Sequence, residues 1–199
     1  MIAGSGSVIA DVITLSQMVL SNEQLDEHIL KRELIAISRS ELNSNKVQGF
    51  PLAYSAKLLL IRHVYDFHVE GLWLVRRSDI TDTYCRETDR FQRKLLEAEN
   101  KLKRGIFRSN YSVDNFSTFL QGLGTNKIAI LENESKQSGG FHIGRIVAVR
   151  QQSVTMQEFL GAGNWERQHT EIDLNDVTTC ETDTNYINFY ARHFNRTSQ

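Results

Sequence analysis

Four groups of side chains in this 199-residue chain carry atoms that could do chemistry, and each is weighed by its spacing. His63, Asp66 and His68 lie close together, two imidazoles around a carboxylate. A metal needs convergent ligands, and an odd spacing along a strand sends side chains to opposite faces. They read as polar residues at a hairpin. Glu171, Asp173 and Asp176 invite a paired-carboxylate reading. Glu171 and Asp173 share a face while Ile172 and Leu174 take the other, as on a half-buried strand, and Asp79 and Asp176 read as turn caps. Glycosidase chemistry would need a cleft and an opposing carboxylate. Gly161-Ala162-Gly163 contains a Gly-x-Gly, but no strand-to-helix phosphate context follows it. Cys85 and Cys180 are too few for a disulfide framework or a zinc knuckle and read as small buried filler. No catalytic residue, cofactor or metal is expected, and the chain reads as a non-enzyme.

Two further features could make contacts. From Arg76 to Arg108 there are ten basic and six acidic residues in a chain whose net charge is −1. Arg76, Arg77, Arg90, Arg93 and Lys94 lead this band, with Tyr84, Phe91, Phe107 and Tyr111 interleaved. Basic side chains with stacking aromatics are the chemistry of single-strand nucleic-acid binding, whereas interleaved acids favour a solvated helix with i,i+4 pairs. Asn164 and Trp165 end a glycine-containing loop, where an exposed indole would be a contact hot spot and a buried one core.

The elements that must hold these residues follow from periodicity. Apolar residues recur at helical spacing between about 9 and 29. Short β-rich runs begin near Glu33 and continue through 46–54, 58–64, 68–76 and 80–84. Pro51, the single proline, marks an edge or a bulge. Phe91, Leu95, Ala98 and Leu102 form one helical stripe, expected to be buried. Asp114 can cap a short helix carrying Phe116, Phe119 and Leu120. Strand patterns then return at 127–131, 141–150, 154–160, 167–174 and 177–180, and Tyr186, Phe189, Tyr190 and Phe194 close the chain in a helical turn.

The second run of strands echoes the first. Gly49 precedes Gly144 by 95 positions, and Asp79-Ile80-Thr81 precedes Asp176-Val177-Thr178 by 97. Five short strands with close turns in each copy predict a bent sheet closing into a small barrel. The expected fold is mainly β with helices: two tandem five-stranded Sm/SH3-like β-barrels joined by a helix. The expected divisions are an amino-terminal helical segment (1–30), a first barrel (31–85), linking helices (86–125) and a second barrel with a closing helical turn (126–199).

Phe141-His142-Ile143-Gly144-Arg145-Ile146, with Trp165 and Thr170-Glu171-Ile172-Asp173-Leu174-Asn175-Asp176-Val177-Thr178, resembles uncharacterised bacterial proteins in which an IGRI strand precedes a TEIPLDDIT strand. Phe67 to Thr81 is similar to the companion half of the same group. The resemblance spans about 45–190 and implies paired small β units, with no activity attached. The expected function is a cytoplasmic binding module for a protein partner, acting through the barrel rims and the Trp165 loop, including Asn164. The alternative is RNA or single-stranded nucleic-acid binding by the basic band. No run approaches the roughly 20 apolar residues of a membrane span.

Overall fold

The computed structural model describes residues 21–135 and 140–197. Residues 9–20 of the expected amino-terminal helical stretch lie outside the described residues, as does the 136–139 part of the polar turn after Glu132. Helix α1 (Asn22–Lys31) precedes strands β1 (Ile35–Arg39), β2 (Asn43–Tyr54), β3 (Leu58–Tyr65), β4 (His68–Arg76) and β5 (Asp82–Tyr84), and helix α2 (Glu87–Ala98) follows. The same succession then returns. Helix α3 (Phe116–Leu123) leads into β6 (Ile128–Asn133), β7 (Gly140–Val149), β8 (Ser153–Glu158), β9 (Thr170–Asp173) and β10 (Thr179–Thr182), closed by α4 (Asn185–Thr197). Among the described residues no helix is long and apolar enough to cross a membrane.

The repetition reaches individual hydrogen bonds. Ser21 and Asn115 open α1 and α3 with the same reciprocal cap, to Gln24 and Thr118 respectively. One turn on, Leu25 and Phe119 are fully buried. Gly49 in β2 and Gly144 in β7 sit where the neighbouring strand crosses so closely that a Cβ would meet Arg62 O at 2.7 Å or Gln157 O at 2.3 Å. In both strands the register then slips by one residue, between Pro51 and Ala53 and between Ile146 and Ala148. Thr81 donates its N–H to Ser38 O and accepts from Ser40 N, and Thr178 does the same with Glu132 and Glu134. Threonine, rather than the aspartate before it, pins the last strand of each half to the first.

The sheet corrects the barrel expectation. All ten strands form one open antiparallel sheet in the order β5-β1-β2-β3-β4-β10-β6-β7-β8-β9, not two closed five-stranded barrels joined by a helix. Closure of a half would require β4 to pair with β5 of its own half. Instead β5 pairs only with β1, and β4 gives its free edge to β10 through Val75↔Thr179, Leu74↔Cys180, Trp73↔Glu181 and Leu72↔Thr182. The halves are therefore joined by strand pairing.

The core alternates faces along this sheet. Ile35, Ile37, Leu59, Ile61, Trp73 and Val75 pack under Leu25 of α1 on one face. Leu60, Leu74, Cys180, Leu131, Ile146, Val154 and Met156 pack under Phe116, Phe119 and Leu120 of α3 on the other. The outer side of the second half is covered by Ile187 and Phe194 of α4, and that of the first by Leu96 of α2 with Leu102 and Ile106.

Helix α2 is rotated from its expected setting. Leu96 is buried, while Phe91 is 61% and Leu95 38% exposed. Asp89 sets the rotation: it accepts from Arg86 N at 2.8 Å and from Gln48 Nε2 at 2.7 Å, so the Asp89–Leu96 face turns to the sheet. Leu96→Ala is expected to cost about 2–5 kcal/mol in urea unfolding, and Leu95→Ala under about 1 kcal/mol.

Gly71 lies where β4 meets β10, and a Cβ there would stand 1.9 Å from Thr182 O. Gly71→Ala should lower stability by about 2–4 kcal/mol through overpacking. Gly105→Ala, with nothing within 4 Å of its Cβ, should change stability by under about 0.5 kcal/mol.

Candidate functional site: a carboxyl-rich seam between the halves

The face of the β4·β10 junction that carries Glu181 is unlike the rest of the interior. Along β10, Cys180 points into apolar packing, and strand alternation sends Thr179 and Glu181 to the opposite face. Glu181 lies between Trp73 on β4 and Ile130 on β6. Arg39, at the end of β1, reaches the same region. It is 2% exposed, sits 5.1 Å over the Trp73 ring, and makes a two-pronged pair with Glu134, Nη1 to Oε2 at 2.5 Å and Nη2 to Oε1 at 3.0 Å. In a flat sheet β1 and β6 would lie about 24 Å apart, five strand spacings. The pair therefore requires the first half to curl back on the seam.

Carboxylates outnumber cations here. Glu132 and Glu134 from the β6 end and Glu70 from β4 all act on Glu181, with Arg39 as the opposing charge. Burial, helped by Glu132, pushes the Glu181 carboxyl up to about 7. Burial and Glu134 likewise raise Glu132, against the Thr179 hydroxyl. Glu134 is held by Arg39 and by the Thr178 hydroxyl at 2.9 Å, and Glu70 accepts Asn185 N–H at 2.6 Å. Glu181 has no hydrogen-bond or ion-pair partner among the described residues.

Glu181 instead faces a cleft of about 400 Å³ lined by His63, Tyr65, Glu70, Phe141 and Tyr186. Burial lowers the pKa of His63, so its imidazole is neutral near pH 7. Three large rings stand open around the cleft, Tyr65 at 70%, Phe141 at 55% and Tyr186 at 52% exposure. Tyr65 is presented by the tight turn at Asp66 and Phe67, both at positive φ. Tyr186 sits in the first turn of α4 with its ring edge-on to Tyr190. The arrangement sets two carboxyl groups and three exposed aromatic rings around one cleft, the residue types that hold an ammonium or a guanidinium.

The residues expected from the sequence to make contacts lie elsewhere. Trp165 is half-buried, its ring 4.2 Å from Phe194 and 5.5 Å from Phe159, with the Arg145 guanidinium 4.8 Å over it. Asn164 is exposed, and its carbonyl accepts Leu160 N–H. Arg76 donates to the Asn175 carbonyl, and Arg77 to Asn22 Oδ1 and Ser55 O. Arg93 donates to Arg32 O, while Arg90 and Lys94 are exposed on α2. Arg77 and Arg93 thus meet opposite ends of α1, about 15 Å apart for ten residues. His68 Nδ1 turns to Asp66 O while the His63 ring lies against Trp73, so the two imidazoles do not converge. Among the described residues no group of three or more His, Cys, Asp or Glu is placed to hold a metal ion.

Sequence reasoning missed Glu70, Glu181, Tyr65, Phe141 and Tyr186. One signal was present: Glu181 is the lone charge in Val177–Thr182, in phase opposite to Cys180.

A carboxyl whose pKa is raised in the folded state stabilises fully below its unfolded value and loses that contribution as pH rises through the folded value. For Glu181 the window runs from about 4.5 to about 7. Glu181→Gln should therefore raise stability by about 1–3 kcal/mol at pH 8 and by little at pH 5, read from urea unfolding at both.

No family model matches the chain, and no curated protein or solved structure is significantly similar to it, so its function has to be read from the site's own chemistry.

Proposed function

We propose that the chain is a non-enzymatic binding module that takes a basic side chain of a protein partner into the seam cleft. One observation carries this reading: Glu181 has no ion-pair contact among the described residues, Arg39 being committed to Glu134, and it faces a cleft ringed by three exposed aromatic side chains. An arriving arginine or lysine would set a cation against Glu181, lie against Tyr65, Phe141 or Tyr186, and favour the ionised carboxylate, whose proton passes to solvent. Exposed aromatics around a single pocket are also the side chains that dominate protein contacts. The basic band is less suited to a phosphate backbone, because Arg76, Arg77 and Arg93 are engaged with carbonyl groups of the chain itself.

The test is a short peptide with one arginine among neutral residues, compared with the same peptide carrying citrulline. Chemical-shift changes should gather at Tyr65, Phe141, Glu181 and Tyr186 for the arginine peptide alone. Glu181→Gln and Phe141→Ala should each weaken binding about tenfold, or about 1.4 kcal/mol. Affinity for the unmodified chain should rise from pH 6 to pH 8 as Glu181 ionises. No perturbation at millimolar peptide would sink the reading. Retention of RNA oligonucleotides, abolished by charge reversal at Arg90, Arg93 and Lys94, would favour nucleic acid instead.

A further inference from the structure

We propose that the chain associates head to tail with further copies of itself, β9 of one copy pairing with β5 of the next as β4 pairs with β10 inside the chain. The inference rests on the internal repeat and is independent of the seam cleft. Thr81 and Thr178 make equivalent bonds, to Ser38 and Ser40 and to Glu132 and Glu134. This fixes the correspondence of strands. Asp82, Thr83 and Tyr84 pair with Ser38, Ile37 and Ala36 as Thr179, Cys180 and Glu181 pair with Glu132, Leu131 and Ile130. On the other side, Ile172, Glu171 and Thr170 stand against Val154, Thr155 and Met156 as Val75, Leu74 and Trp73 stand against Leu59, Leu60 and Ile61.

The sheet thus ends on β9, the counterpart of β4, and on β5, the counterpart of β10. Neither outer edge has a strand partner among the described residues. One chain therefore carries both sides of the junction it has already made once. Copied between molecules, the junction sets Ile172 opposite Asp82, Glu171 opposite Thr83 and Thr170 opposite Tyr84.

The junction rests on strand pairing rather than on charge. At the β9 edge Glu171 is paired with Arg150 at 2.8 Å and Asp173 accepts from Asn175, while β5 carries Asp82 as well as Tyr84, over whose ring Lys46 and Arg86 lie at 5.1 and 4.2 Å. Open strand edges are templates for pairing, and a junction between unlike edges leaves an edge free for the next copy, building a ring or a filament.

Sedimentation velocity of the full chain from about 5 to 300 µM, the range for small transient contacts, should show a mass that rises with concentration. A constant monomer mass overturns the proposal. Geometry is read by cross-linking in a Cys85→Ser background, since facing Cα atoms in an antiparallel pair lie about 4.5–5.5 Å apart, within disulfide reach. Oxidising a mixture of Thr83→Cys and Glu171→Cys chains should give a covalent dimer containing one of each. Dimers formed by either variant alone, in place of the mixed one, mean like edges meet and also overturn it. Should a variant fail to fold, sedimentation of the unmodified chain still decides.

Discussion

The four residue pairs between β4 and β10 hold the architecture together. Without them the molecule would be two curled five-stranded sheets, each bare at both edges. With them the two are one sheet whose packing changes face at the seam. The apolar side of the junction, Leu72, Leu74 and Cys180, belongs to the core under α3, so the halves share side chains as well as hydrogen bonds. Gly71 permits the approach, because the Thr182 carbonyl occupies the space of a side chain there.

The other side of the same junction is polar, and its electrostatics follow from where the strands come to rest. Arg39 arrives from β1 because the first half curls, and its pair with Glu134 neutralises one carboxylate. A buried ion pair of this kind adds little net stability, since desolvation offsets attraction, but removing one partner leaves an expensive lone charge. The pair therefore acts as a registration device between the halves. Glu132 and Glu181 have no ion-pair partner among the described residues, and burial raises the pKa of both, that of Glu181 to about 7. On the proposed reading, a carboxyl that titrates near pH 7 beside an aromatic-lined cleft would ionise more fully when a cation arrives.

Much of the local structure was legible in the sequence. The β-rich runs at 46–54, 58–64 and 68–76 match β2, β3 and β4 to within a few residues, because alternation and turn chemistry act over neighbouring positions. The echo of Gly49 in Gly144 was visible for the same reason: both answer a close strand crossing. Whether each half closes on itself is a different matter. It depends on which of two edges β4 finds, and β5 and β10 are both short polar strands. The setting of α2 was hidden because Asp89, a charged residue, turned out to be the inward anchor through Gln48 and the Arg86 N–H. The cleft was hidden because His63, Glu70, Phe141, Glu181 and Tyr186 come from five separate elements.

The junction also imposes an order on synthesis. Strand β4 is complete by Arg76, yet its partner in β10 is made about 100 residues later. Throughout that interval the nascent first half presents an unpaired edge whose residues Leu72, Trp73, Leu74 and Val75 are apolar, the composition most prone to pairing with a neighbouring chain. The sheet is thus completed only once β10 has been made, and a chain that ends before Thr179 leaves that apolar edge unpaired.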